Sequence, residues 1–130
     1  MKLPIVVWVG LGAGLGSLVR VLVPVFVPDT GGLPWSTQAA NLGGSFAIGL
    51  YAARLQYSAG WMNRIAARHF FMAGFCGGLT TFSIFSLEVV ELARSGAPFI
   101  ALAWVGLSLA GWMLAVWAGW RLGSWSPVTK

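Results

Sequence analysis

Charged side chains are scarce in this chain, and their scarcity decides its class. Only 8% of the 130 residues are charged and 58% are hydrophobic, whereas a soluble domain carries about 25% charged residues. We therefore predict an all-α membrane protein rather than a soluble one. A chain of 130 residues has room for one domain, so we expect residues 1–130 to form a single transmembrane domain.

Histidine, cysteine and acidic residues are also rare. The chain has one His, one Cys and three Asp or Glu residues. These offer no pair of nucleophile and base, so we predict that the protein is not an enzyme. The single cysteine excludes a disulfide within the chain. The eight Lys and Arg residues are scattered between apolar runs, which argues against a nucleic-acid partner and fits anchoring to membrane lipid.

Long uncharged runs are what the chain does contain. A membrane-spanning helix needs about 20 largely apolar residues, and uncharged runs occupy residues 3–19, 30–53, 70–87 and 95–120. Prolines and glycines lie between or beside these runs, where helices end. The pattern predicts four transmembrane helices, over about 4–23, 35–55, 70–92 and 98–122.

The third predicted helix contains a stretch that disfavours helical structure. Gly77 and Gly78 each cost about 1 kcal/mol relative to Ala, and the β-branched residues Thr80 and Thr81 add to that cost. We therefore predict a break near the middle of helix 3, around residues 77–80. Freed backbone groups find no water in lipid, so the break must be buried or face a cavity, where such groups can bind ions.

Aromatic and polar side chains share faces on helices 2 and 3. Phe82 and Phe85 lie three residues apart, with Glu88 one turn further. Because the edge of an aromatic ring is positive, the two rings can attract an anion; plain packing is the alternative. On helix 2, Thr37 and Asn41 share a face. The Asn41 amide either forms a hydrogen bond between helices or donates a hydrogen bond to a dehydrated anion.

Helix 1 is rich in glycine and ends near a basic residue. Gly10 and Gly14, and likewise Gly12 and Gly16, are four residues apart, a spacing that lets another helix approach closely in lipid. No strand precedes these glycines, so a phosphate-binding loop is excluded. Arg20 either reaches the headgroups or forms a positive rim that attracts anions.

Three segments resemble one known family. Residues 74–88, GFCGGLTTFSIFSLE, resemble the third-helix signature of the small fluoride channels called CrcB or Fluc. Residues 12–20, GAGLGSLVR, resemble the family's glycine-rich first helix that ends in Arg. Residues 37–46, TQAANLGGSF, resemble its second-helix element. The resemblance therefore spans nearly the whole chain.

The resemblance implies a function, an assembly and a set of site residues. It implies passive, fluoride-selective export through the bacterial inner membrane, and so fluoride resistance. It also implies an antiparallel, dual-topology homodimer with two pores and a structural Na⁺ at its centre, held by the main-chain carbonyls of Gly77 and Thr80. The implied pore residues are Phe82, Phe85, Asn41, Ser108, Thr37 and Thr81, and the supporting residues are Arg20, Glu88, Ser83 and Ser86.

Helix 4 departs from the family pattern. Trp104, Ser108 and Trp112 form a stripe at a spacing of four residues, along which hydroxyl side chains are usual in the family. Only Ser108 carries one here. Likewise Ile84 stands where the family often has Thr, and Val21 stands where an aromatic residue is common.

The basic residues favour one orientation in the membrane rather than two. If both termini lie on one side, that side holds Lys2, Lys130 and four of the six arginines, and the other side holds Arg20 and Arg94. Such a bias normally fixes the orientation of a membrane protein. The bias therefore stands against the antiparallel arrangement that the resemblance implies.

Two other classes of protein remain as alternatives. A small four-helix multidrug or cation exporter has this size, but it needs an acidic residue in helix 1, and none is present here. A non-transporting subunit that only packs against other helices would explain the glycines. It would not explain a break flanked by Thr and Phe.

Overall fold

The computed structural model describes residues 4–56 and 64–125, and its helices account for nearly all of this part of the chain. Three long helices and one composite rod are present. The rod, Ile65–Arg94, contains two residues that are not helical and will be called the third rod. The elements are α1 (Ile5–Phe26), α2 (Trp35–Leu55), α3 (Ile65–Arg68), a π-helical stretch (His69–Cys76), α4 (Gly77–Leu79), α5 (Phe82–Arg94) and α6 (Pro98–Ser124).

Two helices extend beyond the bounds expected from the sequence. Helix α1 continues through Pro24 to Phe26 instead of ending near residue 23. Pro24 is tolerated there because, in the last turn, it removes only one hydrogen bond, the one to the Arg20 carbonyl. The third rod begins at Ile65, five residues before the start expected at about residue 70.

The turn between α1 and α2 caps the polar start of α2. Gly31 and Gly32 have φ of 64° and 73°, a region that glycine adopts without the steric cost of a Cβ atom. The turn brings Asp29 back toward the helix, where its Oδ1 accepts a hydrogen bond of 2.8 Å from the Ser36 amide. An acidic side chain is favourable at this helix end.

Helix α1 packs against the third rod through glycine on both sides. A Cβ atom at Gly12 would overlap the carbonyl oxygen of Phe70, and one at Gly16 would overlap that of Phe75. On the side of the third rod, a Cβ atom at Gly78 would likewise overlap the carbonyl oxygen of Ala13 in α1. The contacts advance in the same direction along both elements, so α1 and the third rod run parallel with their backbones in contact.

Helices α2 and α6 form a second parallel pair by the same means. A Cβ at Gly49 would overlap the Val116 carbonyl, and one at Gly119 would overlap the Phe46 carbonyl. Further along, Gly123 lies against Ala53. The rings of Tyr51 and Phe71 are stacked, with 4.5 Å between their centroids. This contact places the C-terminal end of α2 beside the beginning of the third rod.

Three helices of the described chain are long and apolar enough to cross a membrane: Ile5–Phe26, Ile65–Arg94 and Pro98–Ser124. Helix α2 is 21 residues long but does not meet the same criterion of hydropathy. Its first turns instead bury polar side chains inside the protein, namely those of Ser36, Thr37, Gln38 and Asn41. Exposed Leu, Val and Phe side chains along α1 and α6 suit a lipid environment.

The glycine contacts predict a clear difference between two substitutions in α1. Gly16→Val should destabilise the fold by about 1–3 kcal/mol, because its side chain meets the backbone of the third rod and forces the helices apart. Gly10→Val should have little effect, since a Cβ there meets nothing within 4 Å. Thermal unfolding of both variants in detergent measures the difference. Equal melting temperatures would contradict the packing described here.

Candidate functional site

The third rod changes direction at two extended residues. Thr80 has φ −85° and ψ 154°, and Thr81 has φ −149° and ψ 122°. The break was expected around residues 77–80, a range that includes Thr80, but Gly77 itself has helical torsions of −65° and −35°. Thr81 then starts α5, because its Oγ1 accepts a hydrogen bond of 3.3 Å from the Ile84 amide.

The side chain of Asn41 holds the extended residues in place. Its Nδ2 donates to the Thr81 carbonyl at 3.0 Å, and its Oδ1 accepts from the Thr81 amide at 2.7 Å. Both groups are buried. The amide therefore satisfies two backbone groups that the interruption of the helix would otherwise leave without partners. The interhelical role considered for Asn41 is thus realised, and its second Nδ2 hydrogen is still available for a ligand.

The carbonyls on either side of the interruption have different surroundings. In an uninterrupted helix the Thr81 amide would donate to Gly77, but here it donates to Asn41. The Gly77 carbonyl thus loses its α-helical partner, at a residue that is exposed on the surface of the protomer. The Thr80 carbonyl accepts a hydrogen bond of 3.2 Å from Arg20 Nη1, and the Gly78 carbonyl accepts one of 3.4 Å from Ser17.

These carbonyls fit a small monovalent cation. Gly77 and Thr80 offer neutral main-chain oxygens, one of them released by the interruption, and a carbonyl oxygen has a second lone pair even where it already accepts one bond. A neutral oxygen set without carboxylates suits Na⁺ better than Ca²⁺. The guanidinium of Arg20 binds the Thr80 carbonyl. Arg20 therefore lies closer to the interruption than expected from the sequence, which indicated a position either at the lipid headgroups or at a positive rim that attracts anions.

A cavity of about 220 Å³ opens beside the interruption. Its walls combine hydroxyl and amide groups with a larger share of aromatic and other apolar surface. The residues that line it are Asn41, Ser45, Thr80, Thr81, Phe82 and Trp112. Of these, Ser45 and Trp112 are not among the pore residues that the family resemblance implied. Each lies one helical turn from such a residue, Ser45 from Asn41 and Trp112 from Ser108, which is consistent with a position in the cavity wall.

The two phenylalanines of α5 have different environments. Phe85 is 3% exposed and meets Trp112 edge to face, with 4.8 Å between ring centroids. Phe82 is 66% exposed and its centroid lies 5.8 Å from that of Phe85. Phe85 therefore points into the protomer beside the cavity, whereas Phe82 lies at the cavity's edge on the protomer surface.

A second polar region lies one turn beyond, at the start of α2. Thr37 donates a hydrogen bond of 2.6 Å to Glu88 Oε1. A cavity of about 520 Å³ adjoins it, and its lining includes Asp29, Glu88 and Glu91. The other Glu88 oxygen, Oε2, is buried without a hydrogen-bond partner in the described part of the chain. This end of the helices is therefore acidic.

The remaining predicted residues fall near these two regions. Ser108 is fully buried, and its Oγ has no partner among residues 4–56 and 64–125. Ser83 Oγ lies 3.3 Å from Thr81 Oγ1, and Ser86 donates to the Phe82 carbonyl at 2.8 Å. All of the predicted pore residues thus lie along α2, α5 and α6 between the interruption and the acidic end.

Sequence reasoning missed Gln38. Its Oε1 accepts a hydrogen bond of 3.2 Å from Trp112 Nε1, and the Gln38 side chain is 7% exposed. A glutamine three residues before a membrane-embedded asparagine was the available signal, because a buried amide needs a partner. Through this bond Gln38 fixes the ring of Trp112, which forms one wall of the cavity.

Buried polar side chains, an interrupted helix and helices apolar enough for lipid define a class: a multi-pass helical membrane protein with buried polar groups between its helices. Residues 7–120 match the family described as "CrcB-like protein, Camphor Resistance (CrcB)". The chain belongs to this family. That membership confirms the predictions of a multi-pass bacterial membrane protein and of a protein that is not an enzyme.

Individual relatives support the same assignment. The chain is 42% identical over 110 residues to the fluoride-specific ion channel FluC 1 of Bradyrhizobium diazoefficiens, a match that covers 85% of this chain and 78% of that protein. It is 40% identical over 112 residues to the fluoride-specific ion channel FluC of Methylocella silvestris, covering 85% of this chain and 86% of that protein. For the FluC channel of Paramagnetospirillum magneticum the identity is 39% over 111 residues, covering 84% and 87%.

The Asn41 contacts predict the effect of removing its amide. Asn41→Ala should lower the free energy of unfolding by about 1–3 kcal/mol for each backbone group of Thr81 left buried without a partner. Ser45→Ala is the matched control, since Ser45 is one helical turn away and lines the same cavity. Denaturation in detergent monitored by circular dichroism compares the two. If Ser45→Ala costs as much, Asn41 does not hold the interruption.

Proposed function

We propose that this chain forms a fluoride-selective channel that lets cytoplasmic F⁻ leave the cell passively. The observation that carries the proposal is the cavity beside Thr80 and Thr81, where the amide of Asn41 and the hydroxyl of Ser45 lie among aromatic side chains. The names of the relatives in Bradyrhizobium and Methylocella support fluoride as the ion.

Fluoride is small and holds its water tightly, so a selective pathway must offer donors in place of that water. The free Nδ2 hydrogen of Asn41 and the hydroxyl of Ser45 are such donors, whereas the Thr80 hydroxyl already donates to the Cys76 carbonyl at 2.9 Å. Phe82 lines the same cavity and Phe85 packs beside it, and the positive edges of these rings would add to the attraction for an anion. The pathway continues past Ser108 and Thr37 toward the acidic end, with Ser83, Ser86 and Glu88 near its mouth.

The direction of flow follows from the chemistry of hydrogen fluoride. Neutral HF crosses lipid, ionises in the less acidic cytoplasm and is trapped there as F⁻. The membrane potential then drives the anion outward once a pathway exists. A passive channel is therefore sufficient for resistance, and no residue is needed for coupling to protons.

We also propose that α2 is a fourth membrane span. It runs parallel to α6 from the Gln38–Trp112 bond to the contact between Gly123 and Ala53. These contacts cover 15 residue steps, about 22 Å of helix, which is most of the hydrocarbon thickness of about 30 Å. A helix that accompanies a spanning helix for that distance crosses the same membrane.

The functional unit in this proposal is an antiparallel homodimer with two pores. Gly77 and Phe82 are exposed on the protomer surface although they flank the interruption, and a second copy would cover them. Two-fold symmetry would bring the two interrupted rods face to face. Each pore would then be lined by α2, α5 and α6 and closed from lipid at Phe82.

At the centre of that dimer, the carbonyls of Gly77 and Thr80 from both chains would hold one Na⁺. The bound cation would supply positive charge near the anion pathway. Arg20, which donates to the Thr80 carbonyl, orients that carbonyl and adds charge of the same sign. Because Arg20 is half-buried, its attraction for an anion is screened less than that of a surface arginine.

The proposed pathway predicts loss of fluoride flux when a ring edge is removed. Phe82→Ile or Phe85→Ile should lower F⁻ efflux from proteoliposomes at least about tenfold, equivalent to about 1.4 kcal/mol of lost stabilisation along the pathway. Phe99→Ile is the control, because Phe99 is 85% exposed at the start of α6 and lies outside the cavity. A fluoride electrode measures the efflux, with Cl⁻ as the comparison ion. Unchanged efflux in both Phe82 and Phe85 variants would refute their role.

The antiparallel arrangement predicts labelling from both sides of the membrane. Ser95→Cys in a Cys76→Ala background places one thiol at an exposed position just after α5. An impermeant maleimide should label about half of these thiols from each face of the cell membrane. Labelling from one face alone would show a single orientation and overturn the antiparallel dimer, while leaving the flux prediction standing.

A further inference from the structure

The described arginines are divided unevenly between the two ends of the helices. Arg54 and Arg121 lie at the C-terminal ends of α2 and α6, which are adjacent because Gly123 lies against Ala53. Arg64 and Arg68 lie at the start of the third rod, on the same side, as the Tyr51–Phe71 stack shows. We call this side the basic end. Lys2 and Lys130, which the sequence assigns to the same side, fall outside the described residues.

No Asp or Glu side chain lies at the basic end. The chain has only three acidic residues, and all three line the cavity at the opposite end: Asp29, Glu88 and Glu91. The four arginines therefore have no side-chain carboxylate to neutralise them. Exposed guanidinium groups that face a headgroup layer without acidic partners attract anionic lipid.

Arg121 is the best-formed part of the basic end. Its guanidinium lies over the ring of Trp117, 5.8 Å from the centroid. It also lines a cavity of about 510 Å³ together with Leu122, Ser124 and Trp125. The cavity thus offers a bidentate cation and an indole, groups that meet a phosphate and its glycerol at a membrane interface, whereas the Ser124 hydroxyl already donates to the Trp120 carbonyl at 2.7 Å.

The apolar surroundings identify the kind of phosphate. Trp117 and Leu122 are exposed next to Arg121, and Met113 and Leu114 continue this exposed apolar face along α6 toward the membrane interior. An acyl chain can lie along that face while its headgroup reaches the guanidinium. Inorganic phosphate would use the arginine but gain nothing from the apolar face.

From this arrangement we propose that the basic end holds an acidic phospholipid, with its headgroup phosphate on Arg121 and one acyl chain along the outer face of α6. This site is separate from the ion pathway and does not depend on which ion the channel conducts. In the antiparallel dimer proposed above, one such site would face each leaflet.

The test uses the purified protein in detergent with equal amounts of phosphatidylglycerol and phosphatidylcholine, analysed by native mass spectrometry. Phosphatidylglycerol adducts should exceed phosphatidylcholine adducts by about fivefold for each arginine engaged. Arg121→Gln should lower that ratio about fivefold, which brings it close to one. Arg94→Gln, a matched change at the acidic end, should leave the ratio unchanged.

Three outcomes would overturn the proposal. The wild-type ratio could be close to one, or Arg94→Gln could lower it as much as Arg121→Gln does. Alternatively, inorganic phosphate at millimolar concentration could displace the lipid adducts, which would identify a site for free phosphate instead. Size-exclusion profiles that match the wild type establish that each variant is folded, and Arg121→Lys provides a milder variant that keeps the charge but loses the bidentate fork.

Discussion

One residue, Thr81, exchanges two hydrogen bonds with the side chain of Asn41 through its backbone N–H and C=O groups, and the arrangement of the site depends on this exchange. A helix interrupted in lipid leaves backbone donors and acceptors that water cannot reach, at a cost of several kcal/mol each. Asn41 satisfies a donor and an acceptor at once, and so permits the chain to extend at Thr80 and restart at Phe82. The released Gly77 carbonyl and the inward position of Phe85 are both consequences of that restart.

Close contact between backbones makes this exchange possible. Asn41 reaches the third rod because α2 approaches it at Gly44, where a Cβ atom would overlap the methyl group of Thr80. The glycines of α1 and α6 bring the other helices equally near. Polar residues on α2 are therefore enclosed by neighbouring helices rather than exposed to lipid, and a helix of modest hydropathy can lie among three apolar ones.

The sequence predicted the helical class, the membrane environment and the family, because composition and motifs decide these directly. It placed the interruption at residues 77–80, of which only Thr80 is extended in the structure. Gly77 and Gly78 have low helix propensity, yet both remain helical. At Gly78 the reason is tertiary: the residue lies against the Ala13 backbone, and that packing offsets the intrinsic cost. Spacing placed Phe82 and Phe85 on one face, but only the tertiary structure could distinguish a ring that is 66% exposed from one that is 3% exposed.

The parallel pairing of helices has a consequence for how the chain is made. Helix α2 leaves the ribosome before its partner α6, and about 40 residues of the third rod and its connections are synthesised between them. Asn41 gains its partner Thr81 with the third rod, but the Gln38 amide lacks its partner Trp112 until α6 follows. The packing of α2 is therefore complete only when the last helix of the chain joins it.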